Sequence, residues 1–81
     1  SDGNGFRIFI DSIEAVNALV NRLGNSLPKQ NGNKVPLNLV VVDKNLQGDV
    51  EIKLAEAYSV NPDLIGAIKH IDGVVHVERM S

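Results

Sequence analysis

The dipeptide Asn61-Pro62 constrains this chain more than any other pair of residues in it. An Asn side chain accepts a hydrogen bond from the free N–H groups of a first helical turn, and a proline at the first helical position has no N–H to leave unsatisfied. A helix is therefore predicted to begin at Pro62. Leu64, Ile65, Ile68 and Ile71 recur at helical steps to give it an apolar stripe, and Asp72-Gly73 ends it, because glycine takes a left-handed conformation at little cost. Before the cap, Val50, Ile52 and Leu54 alternate with Glu51 and Lys53, the period-2 pattern of a strand with one wet and one dry face, ending near Ala55. After the helix, Val75 and Val77 open a last strand. Val50 to Arg79 is thus strand, turn, capped helix, turn, strand.

The first half carries the same grammar. Phe6, Ile8 and Ile10 alternate with Arg7 and Phe9 as a first strand. Asp11 with Glu14 three positions on is a capping-box-like helix start, and Ile13, Val16, Leu19, Val20 and Leu23 follow at three- and four-residue steps before Gly24 as a stop. Asn25 to Lys34 lacks periodicity and is expected to be a loop. Pro36 fits only the start or edge of the strand Leu37 to Val42, whose faces are Leu37, Leu39, Val41 and Asn38, Val40, Val42. A polar turn, Asp43 to Asp49, joins it to the Val50 strand as a hairpin. The order β-α-β-β-α-β predicts an α+β fold, a split β-α-β two-layer sandwich with a four-stranded mixed or antiparallel sheet and two helices on one face.

Composition limits what such a domain can be. A chain of 81 residues hides only about 60 to 65% of its unfolded surface, so stability should be marginal. With 4% aromatic residues and no Trp, the core has to be aliphatic. The absence of cysteine removes disulfides and thiolate metal sites and fits a cytoplasmic protein. The net charge is -2 and the eight basic residues are scattered, a poor footprint for nucleic acid. No apolar run approaches a membrane span. Ser1 to Gly5 is expected to be a flexible lead-in or expression remnant, and residues 6–81 one small domain excised from the C-terminus of a much longer chain.

Catalytic chemistry finds no foothold in these residues. His70 and His76 have no recognised ligand spacing, and both are expected to be solvated rather than to hold a metal. Ser12, Ser26 and Ser59 lack a histidine at motif spacing and a nucleophile elbow. Gly3-Asn4-Gly5 precedes a strand, whereas a phosphate-cradling loop lies between a strand and a helix. Helix capping accounts for Asp11 and Glu14 better than a catalytic pair does. No catalytic residue, cofactor or metal is predicted.

The second half resembles the extreme C-terminal segment of the alpha subunit of bacterial replicative DNA polymerase III, a C-family polymerase. The matching residues are Glu51, Ile52, Leu54, Tyr58, Val60, Pro62, Ala67, Ile68, Lys69, Gly73, Val74, Val75, Val77 and Glu78. Ala55-Glu56 stands where the family pattern has Pro-Gly, and Asn61 stands for Ser, which keeps the capping chemistry. The similarity covers about the last 30 to 45 residues by strand and helix pattern, and Phe6 to Leu23 only loosely. It implies a part in bacterial DNA replication, in the cytoplasm, as a non-catalytic protein-interaction domain that binds the tau subunit of the clamp loader and ties the polymerase to the replisome. The parent chain would be a DNA-directed DNA polymerase, a nucleotidyltransferase whose catalytic carboxylates lie far upstream. The partners implied are tau and the upstream domains of that chain, with no direct nucleic acid contact and no membrane.

An alternative function follows from the predicted fold, because β-α-β-β-α-β sandwiches also serve as small-molecule-binding regulatory domains of larger enzymes, although fold alone is a weak warrant. RNA binding on the sheet would need exposed aromatics on the central strands, and only Phe9 is available. If Phe6, Ile8, Leu39, Val41, Ile52, Val75 and Val77 face the helices, then Phe9, Val40, Val42 and Val74 fall on the open face. These four, with Arg7, Lys53 and His76 around them, are the candidate partner-binding residues. Met80, placed to extend past the last strand and insert into a partner, is the competing candidate.

Overall fold

The computed structural model describes residues 5–26 and 33–80. In chain order the elements are β1 (Phe6–Ile10), α1 (Glu14–Ser26), β2 (Val35–Val41), β3 (Val50–Tyr58), α2 (Pro62–Lys69) and β4 (Val74–Arg79). The four strands form one mixed sheet in the order β3-β2-β1-β4. β1 and β2 run parallel through the α1 crossover, while β3 and β4 are antiparallel to their neighbours β2 and β1. The first β-α-β unit is therefore contiguous, and only the second, β3-α2-β4, is split, by both central strands. Both helices feed a single core, Ala15, Leu19 and Leu23 from α1 and Leu64 and Ile68 from α2, packed on Ile8, Ile10, Leu37, Leu39 and Val41. This is the expected α+β two-layer arrangement with its helices on one face, and its core is aliphatic apart from Tyr58.

Several boundaries differ from the sequence expectation. The expected leader lies outside the described residues for positions 1–4, but Gly5 is buried and its carbonyl accepts from the Met80 N–H at 2.7 Å. Any Cβ on Gly5 would collide with the Pro36 carbonyl oxygen and the Met80 side chain, so this glycine belongs to the domain. α1 starts at Glu14, so Ile13 rather than Asp11 precedes it; the Asp11 N–H donates instead to the Gly73 carbonyl at 2.9 Å. Gly24 does not stop α1, which continues to Ser26. A solvent-facing glycine inside a helix costs only about 1 kcal/mol relative to alanine, and the fully buried Leu23 beside it anchors that turn. The rest of the expected loop, 27–32, lies outside the described residues.

β3 does not end near Ala55 but runs to Tyr58. Pro36 pairs with Ala57 and Asn38 with Lys53, so Leu37 alone faces Leu54, Ala55 and Glu56. That irregularity sits beside Pro36, which has no N–H to give a ladder, and it carries β3 on until Tyr58 reaches the core at 8% exposure. The helix then begins at Pro62 as predicted: Asn61 is extended at φ -120°, and its side-chain oxygen accepts from the Leu64 N–H at 2.8 Å. The end comes earlier than Gly73. α2 closes at Lys69, the next turn tightens through His70 N–H to Ala67 and Ile71 N–H to Ile68, and Gly73, at φ +94°, serves the turn Ile71–Val74 that launches β4.

The side-chain parity of β4 is reversed at its start. Phe9 pairs with His76 but Ile10 with Val74, which leaves Val75 as the extra residue of a bulge. Val74 and Val77 consequently pack on the core, whereas Val75 is 55% exposed. The expected assignments of Val75 to the core and Val74 to the open face are thus both corrected by one inserted residue. Ile68 is fully buried, as expected. Ile52 stands opposite core Leu39 on the helix side, yet remains 37% exposed because β3 is an edge strand.

Candidate functional site

The sheet face away from the helices is built by strand alternation and register. β1 contributes Arg7 and Phe9, β2 Asn38 and Val40, β3 Glu51 and Lys53, and β4 His76 and Glu78. The ladders set these residues side by side across the face. Arg7 lies between Asn38 and Glu78, Phe9 between Val40 and His76, and Val40 between Phe9 and Glu51.

The polar half is a continuous network. Arg7 Nε donates to Glu51 Oε2 at 2.9 Å, and Asn38 Nδ2 donates to the same oxygen at 2.7 Å. Arg7 Nη1 also approaches Glu78 Oε2 at 3.5 Å, and Glu78 Oε1 lies 3.7 Å from His76 Nε2. The Glu51 carboxyl is held below its ordinary value, first by the Asn38 hydrogen bond and then by the bond to Arg7. Arg7 is pushed further above its ordinary value, mainly by the same hydrogen bond to Glu51. Alternating residues on all four strands thus form one polar and charged cluster. Its members were visible in the sequence as wet-face residues, but their meeting depends on the β1–β2, β2–β3 and β1–β4 registers, which a single sequence does not display.

The apolar half is smaller than expected. Phe9 is half-buried, with its ring 5.4 Å from that of His76 and tilted by 51°. Val40 faces away from the helices as predicted, but only 5% of it is exposed. Val42 lies beyond the end of β2, half-buried, and its N–H donates to the Ile10 carbonyl at 2.8 Å. Val74 belongs to the other face. Met80 is half-buried and folded back against Gly5 rather than extended beyond the strand. Of the five candidate residues, Phe9 therefore offers the accessible aromatic surface of the open face, and Val40 supports it from within the sheet.

The remaining polar groups are dispersed. His70 is exposed, and its Nδ1 pairs with the Gly66 carbonyl one turn back on α2. Asp11, Ser12 and Glu14 share a shallow depression of about 420 Å³ with Val42 to Asn45, at the carboxyl ends of the parallel strands. A second, of about 290 Å³, runs along Lys69 and Val74 to Val77. Among the described residues no cluster of His, Cys, Asp and Glu is arranged to hold a metal ion, and no helix is long and apolar enough to cross a membrane.

Fold and face together define a small α+β two-layer domain whose open sheet surface joins an ionic network to an aromatic pair. Comparison with known protein families, characterised proteins and solved structures found no match for the chain.

Proposed function

We propose that this chain is a non-catalytic protein-interaction domain, the C-terminal tau-binding domain of a bacterial replicative DNA polymerase III alpha subunit, acting in the cytoplasm to tether the polymerase to the clamp loader. The observation that carries the reading is the succession of residues from Glu51 to Glu78, with Tyr58, Pro62, Gly73 and Val74-Val75 at the turning points of strand, helix and strand. Supporting it, Phe9 and His76 sit amid Arg7, Glu51 and Glu78, an aromatic anchor within a polar rim, and interface energy concentrates in such anchors.

Titration calorimetry against the C-terminal domain of a clamp-loader tau subunit tests this, with free amino acids and single-stranded oligonucleotides as separate arms. Binding to tau alone is expected. Phe9→Ala should weaken it by about 1 kcal/mol or more while leaving the circular dichroism spectrum unchanged. Val40→Asp is unsuitable as a surface probe, since it would bury a carboxylate and lower stability itself. Saturable binding of an amino acid with none of tau would replace this reading with the regulatory-domain alternative.

A further inference from the structure

We propose that β3 is a docking edge for a second copy of this chain, the two β3 strands pairing antiparallel about a two-fold axis through Ile52. β3 is a nine-residue edge strand whose ladder is made on one side only, with β2. Its helix-side residues Val50 and Ile52 are 45% and 37% exposed, although their partners across the ladder, Val41 and Leu39, are in the core. The regular stretch of that edge, Val50 to Lys53 ahead of the irregularity facing Leu37, leaves apolar residues uncovered and is a template for another strand.

The choice of a second copy rests on charge. A two-fold axis perpendicular to the sheet keeps the helices of both copies on one side and sets directly opposed residues on the same face. Centred on Ile52, it places Glu51 opposite Lys53 of the second copy twice over, Val50 opposite Leu54, and Ile52 opposite itself. Centring one residue earlier puts Glu51 on Glu51, and one residue later Lys53 on Lys53, and like charges directly opposed are destabilising. Lysine on an edge usually repels strand addition, but here the matching carboxylate is two residues away on the same face. Lys53 makes no ion pair among the described residues, so a carboxylate set across the new ladder would give it one. The result would be a continuous sheet of twice four strands. It stands or falls independently of any role in a replisome.

Sedimentation equilibrium and cysteine crosslinking of the whole chain test it. Mass should rise toward that of a dimer as concentration is raised to about 1 mM, a weak association, and Lys53→Glu should weaken this on the order of tenfold by setting Glu against Glu. Directly opposed antiparallel residues lie about 4.5 to 5.5 Å apart at Cα, within the roughly 4.4 to 6.8 Å that a disulfide bridges. Because the chain has no cysteine, Ile52→Cys should give a covalent dimer under mild oxidation, and Val75→Cys on the other edge should not. A mass that stays monomeric throughout, or Ile52→Cys linking no faster than Val75→Cys, would overturn the proposal, the latter by showing either random collision or use of the β4 edge.

Discussion

Glu51 is the residue on which the open face turns, because one of its oxygens holds both Arg7 and Asn38. Its carboxyl is depressed in the folded chain, so the stability it contributes is present above the unfolded-state pKa and is lost as pH falls through the lower folded one. Glu51→Gln should therefore lower the melting temperature at neutral pH, and the gap to the parent chain should close in acid, below the ordinary carboxylate range. A gap that is independent of pH would assign the effect to shape rather than charge. The wet character of Arg7, Glu51 and Glu78 was readable from alternation alone, but their convergence was not. Arg7 and Glu51 are 44 positions apart, and only the order of strands makes them neighbours.

At the scale of the elements, local chemistry was legible and non-local pairing was not. The Asn61 cap and Pro62 start are written in consecutive residues and hold in the structure; Asn61→Ala should cost about 0.5 to 2 kcal/mol in chemical denaturation. The parity of β4 was beyond reach, because the bulge at Val75 is defined by what β1 offers across the ladder. Likewise, Leu54 to Glu56 carry no sign that Leu37 alone will face all three, so the strand was expected to end where it only bends. Gly24 and Gly73 make the same point for helix ends. Gly24 is a possible stop that helix propagation overrides, whereas the backbone at Gly73 takes a positive φ, with Ala15 so close that a Cβ would strike it.

The whole molecule is one core, aliphatic apart from Tyr58, covered on one side by two helices, as the order of elements and the scarcity of aromatic residues lead one to expect. A domain of this size has few contacts to spare. Ile68 is fully buried among residues of both halves, and Ile68→Ala should remove about 2 to 5 kcal/mol, a large part of the roughly 5 to 15 kcal/mol that small domains possess. An unchanged thermal transition would mean that α2 is not integral to the core.

The hydrogen bond from Met80 to the Gly5 carbonyl has a consequence for how this chain can be rewired. The two ends of the described fold lie side by side, β1 next to β4, so the path into the domain and the path out of it share one place on its surface. A circular permutant that joins Met80 to Gly5 through a short glycine linker and opens the chain in the exposed turn between β2 and β3 should fold to the same sheet, since such turns tolerate new termini. By the same geometry, the domain can be spliced into a surface loop of a host protein without forcing the host's strands apart.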